Sequence, residues 1–154
     1  MIRAVLLDRG DTLMRAGSDD EPAGFHPDVG RLLAGLRARG LRIGVVSNTD
    51  TPRRFFDPDL DVDAVVLSCE VGKRKPHPAI FERALDALGV AAADAVFVGD
   101  RLYEDVRGAG ELGMTTVQAL WFRADEHPEG GEPDFQAFTQ MDVLNVVERL
   151  AAAA

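Results

Sequence analysis

The stretch AVLLDRGDTL, residues 4–13, places two carboxylates directly after a short apolar run. Four consecutive apolar residues at 4–7 are typical of a strand that is covered on both faces of a parallel sheet. Asp8 follows this run, and Asp11 comes three residues later with Gly10 between them. The stretch therefore predicts a buried strand whose carboxyl end carries acidic side chains.

The rest of the chain alternates short apolar runs with helical patterns. We predict further strands at residues 42–46, 64–67, 95–98 and 115–119, and helices at residues 27–39, 78–88, 102–112 and 142–150. Strands separated by helices form βαβ units and a mainly parallel sheet. The predicted fold class is therefore α/β, a three-layer α/β/α sandwich around a doubly wound sheet. Its 154 residues show no sign of a boundary, so we expect a single domain over residues 1–154.

The composition argues against several classes of partner. A net charge of −9 disfavours nucleic acids and anionic membranes, which bind basic surfaces. The first apolar run is too short for a signal peptide, and no run is long enough to cross a membrane. The single cysteine, Cys69, cannot form an internal disulfide, which fits a reducing compartment. We expect a cytoplasmic protein, and a homo-oligomer remains one option.

Polar side chains follow each of the first four predicted strands. They are Asp8 and Asp11, then Ser47 and Asn48, then Lys73 and Lys75, and finally Asp100 and Asp105. The carboxyl ends of parallel strands meet at one edge of the sheet, where ligands bind in such folds. Carboxylates there could hold a divalent cation, and an ammonium could neutralise phosphate oxygens. This combination suggests phosphoryl transfer to a carboxylate.

Four motifs at these positions resemble those of the haloacid dehalogenase superfamily of hydrolases. They read DRGDT at 8–12, VVSN at 45–48, GKRKPHPAIF at 72–81 and VGDRLYED at 98–105, so the resemblance spans almost the whole chain. The last two are especially close to the phosphatase-like branch, which disfavours a dehalogenase. The resemblance implies a Rossmann-like core and a Mg²⁺-dependent phosphohydrolase that acts through an aspartyl-phosphate intermediate.

The resemblance also implies a role for each site residue. Asp8 would be the nucleophile, and Lys75 would pair with Asp8 and with the phosphoryl group. The implied phosphate-binding residues are Ser47, Asn48 and Lys75. The implied Mg²⁺ ligands are Asp8, the backbone carbonyl of Gly10 and Asp100, with Asp105 in support. Arg74 and Arg101, which stand beside these residues, are expected to be solvated rather than to bind substrate.

The second acid departs from the family pattern. In the phosphatases, an Asp two residues after the nucleophile protonates the leaving group and then activates water, which is worth ~10²–10⁴-fold in rate. That position is Gly10 here, and the acid is Asp11, one residue later. In an extended segment Asp8 and Asp11 would point to opposite faces, but the chain turns just after the strand. Asp11 therefore either reaches the site as the acid/base or caps the following turn.

The chain also lacks room for the cap domain that many family members carry. Residues 13–42 hold a polar stretch and one helix, and residues 48–73 form a short interval. We expect an open site that accepts a phosphorylated small molecule or a larger phosphorylated substrate, with residues 14–24 as a small mobile flap. Without an acid at Gly10, the chain would hydrolyse labile acyl phosphates or act slowly on phosphomonoesters. The alternative is a catalytically weak or inactive binding module.

Overall fold

The elements of the fold follow the alternation that the sequence predicts. The computed structural model describes residues 1–15, 24–56 and 59–154. In chain order the strands and helices are β1 (Ala4–Leu7), β2 (Met14–Arg15), β3 (Gly24–Phe25), α1 (Val29–Ala38), β4 (Arg42–Ser47), β5 (Ala64–Leu67), α2 (Ser68–Val71), α3 (Pro78–Leu88), β6 (Ala95–Gly99), a π-helical segment (Leu102–Arg107) that continues as α4 (Gly108–Glu111), β7 (Thr115–Ala119), β8 (Phe135–Ala137) and α5 (Gln140–Ala153). Short 3₁₀ turns lie at Arg53–Phe55 and Ala92–Asp94.

The sheet places β1 between the two halves of the chain. Among the described residues it has six strands in the order β5-β4-β1-β6-β7-β8, and every neighbouring pair is parallel. The chain first builds outward from β1 through β4 to β5, and then returns to the other side of β1 at β6. The strand order thus reverses beside β1, which is where a doubly wound sheet opens a crevice for ligands.

The side chains of β1 supply both core layers of the protein. Val5 and Leu7 pack with α1 and α5 on one face of the sheet, whereas Ala4 and Leu6 pack with α3 and α4 on the other. Because side chains alternate along a strand, one continuous apolar run can serve two faces. This packing fixes the carboxyl end of β1, and therefore the residue that follows it.

The structure confirms the predicted α/β class and the doubly wound sheet. The predicted strands and helices are present, with small shifts at their ends. The terminal helix begins earlier than predicted, at Gln140, because Thr139 and Asp142 form a reciprocal capping box ahead of it. The predicted helix at 102–112 begins as the π-helical segment and not as a regular α-helix.

Four short elements were not predicted. These are β8, the four-residue helix α2 and the antiparallel pair β2 and β3. Each has two to four residues, which is too short for a hydrophobic period to show in the sequence. The pair β2–β3 forms the base of the predicted flap, and the flap residues 16–23 lie outside the described residues. The described part of the chain contains no cap domain and no helix long and apolar enough to cross a membrane.

Truncating Phe97 is expected to destabilise the fold strongly. Phe97 lies on β6 fully inside the core, where its ring meets Phe81 edge to face with the centroids 5.2 Å apart. We expect Phe97→Ala to lower the free energy of unfolding by about 3–5 kcal/mol because it leaves a cavity in a packed layer. Urea unfolding measures this loss. Phe138→Ala is the matched control, since Phe138 is 67% exposed and its truncation should change stability by less than about 0.5 kcal/mol.

Candidate active site

Three carboxylates meet at the point where the strand order reverses. Asp8 follows β1, Asp100 follows the neighbouring β6, and Asp105 lies on the π-helical segment after β6. All three side chains are buried, and each offers an oxygen within 4.8 Å of the others. We call these residues the carboxylate cluster. Its position at the carboxyl ends of adjacent parallel strands is where such folds place their ligands.

A buried lysine bridges two members of the carboxylate cluster. The Nζ of Lys75 donates hydrogen bonds to Asp8 Oδ1 at 2.8 Å, to Asp105 Oδ1 at 2.6 Å and to the carbonyl of Val46 at 2.9 Å. These three acceptors use all three protons of an ammonium group. Lys75 is therefore held in one orientation between the two carboxylates, as an ion pair that is withdrawn from solvent.

Asn48 holds the backbone of Lys75 in place. Its Oδ1 accepts from the Lys75 amide at 2.7 Å, and its Nδ2 donates to the Lys75 carbonyl at 3.0 Å. Both ends of the Asn48 amide are thus occupied by one residue. Ser47, at the end of β4, is buried at the same cavity, and its hydroxyl makes no hydrogen bond within the described residues. The serine hydroxyl is therefore the group that remains available to a ligand.

Asp105 approaches the sheet closely because residue 99 is a glycine. A Cβ built on Gly99 would lie 2.5 Å from the Asp105 carboxyl group, which no side chain could tolerate. The second oxygen of this carboxylate accepts a hydrogen bond from the Arg101 backbone amide at 3.1 Å. The glycine that ends β6 and the π-helical segment after it together bring Asp105 under Lys75.

Arg123 fixes the third carboxylate. Its Nε donates to Asp100 Oδ2 at 2.7 Å, and its Nη2 donates to Asp125 at 3.2 Å. The other oxygen of Asp100, Oδ1, is buried and has no hydrogen-bond partner among the described residues. A buried carboxylate oxygen without a partner is costly, so this atom indicates a position where a ligand would bind.

The carboxylate cluster holds more negative charge than Lys75 can offset. Burial, and then the charge of Asp8, raises the pKa of Asp100 to about 8 despite the hydrogen bond from Arg123. The same causes raise the pKa of Asp105 to about 7 against the ammonium of Lys75. Burial lowers the pKa of Lys75, but Asp105 and Asp8 outweigh it and raise that pKa overall. The excess charge is therefore relieved by protons unless a cation relieves it.

A divalent cation fits the carboxylate cluster. Carboxylate oxygens are the ligands that Mg²⁺ takes in proteins. The three acids offer such oxygens within reach of one another, and the unpartnered Asp100 Oδ1 is among the atoms that a cation would satisfy. Gly10 lines the same cavity, so its backbone lies beside the cluster. The donor set and the excess charge both match a hard cation.

Gly10 and Asp11, in the turn after Asp8, differ in backbone conformation and in the space around them. A Cβ on Gly10 would meet nothing within 4 Å, so this position has open space for a side chain. Asp11 instead adopts φ 54°, the left-handed region that glycine takes without strain. Its carboxylate lies 3.8 Å from Arg123 and accepts no hydrogen bond from the described turn. Asp11 therefore does not cap that turn, and it lines the cavity beside Asp8.

The structure brings the predicted site residues together around one cavity of about 280 Å³. Asp8, Asp11, Ser47, Asn48, Lys75 and Asp105, together with Gly10, line it directly, and Asp100 lies behind it within the carboxylate cluster. Lys73 is exposed and is not among the lining residues. Sequence reasoning missed Arg123, although it stands just after β7 at the same edge as the other residues. It also missed Thr12, which donates a hydrogen bond to Asp8 Oδ2 at 3.3 Å.

Comparison with known proteins points to one family. A family model described as haloacid dehalogenase-like hydrolase matches residues 18–113, a range that begins after Asp8. A glyceraldehyde 3-phosphate phosphatase from Methanopyrus kandleri is 34% identical over 90% of this chain and 70% of its own length.

Two solved structures extend the comparison. A HAD phosphatase from Thermococcus onnurineus is 30% identical with a TM-score of 0.68, and the match covers 81% of this chain and 59% of that one. An uncharacterized protein from Listeria monocytogenes has a TM-score of 0.81 over 98% of this chain and 99% of its own, at 21% identity. The latter likeness shows the fold alone.

The raised carboxyl pKa values predict that the metal-free protein loses stability as pH rises. Between the usual pKa of an aspartate, about 4, and about 8, the native state binds more protons than the unfolded chain. The free energy of unfolding should then fall by at least about 1 kcal/mol from pH 5.5 to pH 9 in the presence of a chelator. Urea unfolding across this range measures it.

Asp100→Asn removes one of the charges and should flatten this pH dependence. Asp86→Asn is the control, because Asp86 is exposed on α3 and makes no ion pair with a described residue. Its free energy of unfolding should change with pH as that of the parent does. A metal-free protein that becomes more stable on going to pH 9 would contradict the excess of buried negative charge. Lys75 does not enter this window, because its raised pKa keeps it charged throughout.

Proposed function

The chain belongs to the haloacid dehalogenase-like hydrolases, and we propose that it is a Mg²⁺-dependent phosphohydrolase with Asp8 as its nucleophile. The observation that carries the proposal is the buried bridge from Lys75 to Asp8 and Asp105 at the edge where the sheet reverses. The named phosphatases among its relatives support the same reaction class. Asp8, Ser47 and Asp100 lie at or just after the ends of β1, β4 and β6, which supports the roles that the motif resemblance implies for them.

In the first half of the reaction, an Asp8 oxygen attacks phosphorus and the bond from phosphorus to the leaving oxygen breaks. Lys75 orients the attacking carboxylate through its 2.8 Å hydrogen bond and offsets the charge that gathers between carboxylate and phosphate. The hydroxyl of Ser47 donates to a phosphoryl oxygen. Asn48 acts on this step through Lys75, since its amide already holds the lysine backbone. The product is an aspartyl-phosphate on Asp8.

The metal site of this proposal consists of Asp8, Asp100 and the Gly10 carbonyl, with Asp105 in support. A bound Mg²⁺ supplies positive charge that stabilises the phosphoryl group in the transition state. Arg123 keeps Asp100 in position by binding its Oδ2, which leaves Oδ1 for the cation. Asp105 acts mainly by holding Lys75.

The second half of the reaction needs a base, and this is where the chain differs from its relatives. Water attacks the phosphorus of the aspartyl-phosphate, the bond from phosphorus to Asp8 breaks, and a proton must leave the water. Gly10 has no side chain to accept it. Asp11 is the carboxylate nearest in sequence, but it is engaged with Arg123 at 3.8 Å. The same missing carboxylate would protonate the leaving oxygen in the first half, so we propose that substrates with good leaving groups, such as acyl phosphates, form the aspartyl-phosphate fastest.

A binding module without turnover is the second candidate. The glycine at position 10 favours it, because the missing carboxylate removes the proton transfer that alkyl phosphates require. On this reading the carboxylate cluster still binds Mg²⁺ and a phosphorylated ligand. The two candidates differ in whether any phosphate is released.

Asp8→Asn is expected to abolish the proposed activity. The wild-type protein should release phosphate from acetyl phosphate in the presence of Mg²⁺, and the variant should be slower by at least ~10³-fold because an amide is a poor nucleophile. Phosphate release followed by a colorimetric assay measures both rates. Thermal unfolding of the variant shows whether the loss arises from chemistry or from folding.

Asp86→Asn again serves as the matched control and should turn over at the parent rate. Full turnover by Asp8→Asn would eliminate Asp8 as the nucleophile. Absence of turnover in the parent, with Mg²⁺ and phosphate binding intact, would favour the binding module.

Restoring a carboxylate at position 10 should raise turnover of alkyl phosphates. Gly10→Asp places the new side chain in open space, and Asp11→Gly returns a left-handed φ to the residue that takes it without strain. We expect the double variant Gly10→Asp/Asp11→Gly to hydrolyse glycerol 3-phosphate ~10- to 10³-fold faster than the parent. Steady-state kinetics with glycerol 3-phosphate and acetyl phosphate measure the gain.

Because acetyl phosphate has a good leaving group, its rate should change much less. The single variant Asp11→Gly separates the relief of backbone strain from the new carboxylate, and it should not accelerate glycerol 3-phosphate. An equal gain on both substrates would place the defect in hydrolysis of the aspartyl-phosphate, which both share, and not in protonation of the leaving oxygen.

A further inference from the structure

Three arginines stand at the mouth of the cavity that holds Asp8. Each is the sequence neighbour of a buried residue of the site, in the pairs Asp8-Arg9, Arg74-Lys75 and Asp100-Arg101. All three line the cavity. The elements that bury the acids and the lysine therefore also carry guanidinium groups to the rim. We call Arg9, Arg74 and Arg101 the rim arginines.

Two of the rim arginines are weakly engaged by the protein. Arg74 has a side chain that is 60% exposed, and its ion pair with Asp50 spans 4.0 Å to a carboxylate that is itself almost fully exposed. Arg101 is 3.7 Å from Glu104, beyond hydrogen-bond distance. Both guanidinium groups thus keep planar, paired donors that can bind a carboxylate or a phosphate. The sequence predicts that both side chains are solvated, and a solvated guanidinium group is accessible to a ligand.

Arg9 is the third rim arginine, and it directly follows Asp8 in the sequence. Its guanidinium lies over the ring of Phe56, 4.5 Å from the centroid. Arg9 therefore adds positive charge to the mouth from a supported position.

Charges of both signs line the cavity, in a chain whose net charge is −9. The acids that line the cavity outside the carboxylate cluster are Asp11 and Glu104, and they face Arg123 and Arg101 respectively. Among the described residues, the acid nearest Arg74 is Asp50, which does not line the cavity. Arg74 and Arg101 are thus held by single, loose ion pairs at the rim, where an anionic ligand can compete with Asp50 and Glu104.

We propose that the natural substrate carries a second anionic group, a carboxylate or a second phosphate, which Arg74 and Arg101 bind at the rim. This inference rests on the proposed function, because the scissile phosphate at Asp8 determines which end of the substrate reaches the mouth. The cavity of about 280 Å³ lies near the lower limit of small-molecule sites, roughly 300–1,000 Å³, so only a few atoms separate the two anions. The substrate is a small molecule with two anionic ends, one bound at Asp8 and the other at the rim.

Binding to a protein that cannot turn over tests the inference. In Asp8→Asn with saturating Mg²⁺, calorimetry compares 3-phosphoglycerate with glycerol 3-phosphate, which differ by a carboxylate in place of a hydroxymethyl group. We expect 3-phosphoglycerate to bind at least ~10-fold more tightly, with the difference shrinking as salt rises from ~0.05 to ~0.5 M. Glycerol 1,3-bisphosphate is the third ligand. Its affinity relative to 3-phosphoglycerate tells whether the second anion is a phosphate or a carboxylate, and either order supports the inference.

Substitutions of the rim arginines locate the second subsite. Asp8→Asn/Arg74→Ala and Asp8→Asn/Arg101→Ala should each reduce the preference for the second anion by ~3-fold or more, with a smaller effect on glycerol 3-phosphate. Asp8→Asn/Arg83→Ala is the matched control, since Arg83 is exposed on α3 and does not line the cavity. It should keep the full preference.

Three results overturn the inference. They are equal affinities for 3-phosphoglycerate and glycerol 3-phosphate in a folded Asp8→Asn protein, no binding of either ligand, and a preference that survives both arginine substitutions. Because the readout is binding, it is independent of turnover. A protein that prefers the second anion but releases no phosphate from any substrate supports this inference and contradicts the proposed phosphohydrolase.

Discussion

The site depends on an imbalance of buried charge, in which one ammonium faces three carboxylates. Lys75 pairs with Asp8 and Asp105, and Asp100 is left with Arg123 on one oxygen and with no described residue on the other. Burying unbalanced charges opposes folding, so the protein tolerates the cluster only where a proton or a cation completes it. The same imbalance suits the proposed function, because a cluster that is short of positive charge favours a metal ion, which would lie beside the carboxylate of Asp8.

The fold holds the carboxylate cluster and Lys75 in fixed positions. β1 and β6 are neighbours at the centre of the sheet, and their burial in both core layers fixes the residues that follow them. Lys75 comes from a loop instead, and a loop holds a side chain less firmly than a strand does. The two hydrogen bonds from Asn48 to its backbone compensate for this. Gly99 matters for a similar reason, since only a glycine lets Asp105 approach the end of β6.

The sequence predicts the fold and the members of the site because both follow from position along strands. Continuous apolar runs indicate buried parallel strands, and the ends of such strands converge, so Asp8, Lys75 and Asp100 could be placed together without a structure. The partners of these residues could not be predicted. Whether Asn48 holds phosphate or backbone, and whether Arg123 reaches Asp100, depends on loop conformations that no hydrophobic period encodes. The prediction that alternation would direct Asp11 away from Asp8 could not decide its place either, because a left-handed φ turns the chain there.

The exchange of glycine and aspartate after the nucleophile, together with the rim arginines, indicates which substrates the site favours. Open space at Gly10 lies where relatives place the acid that helps an alkoxide leave, and the displaced Asp11 is held toward Arg123. On the proposed function, a site with this defect would still bind phosphate and present Asp8 as the nucleophile, so its selectivity would depend on the chemistry of the substrate. A good leaving group removes the need for the acid, and a second anion at the rim supplies binding energy that holds the phosphate in line with Asp8. Guanidinium groups on the neighbours of the buried residues therefore assist the reaction at the step that the missing carboxylate has weakened.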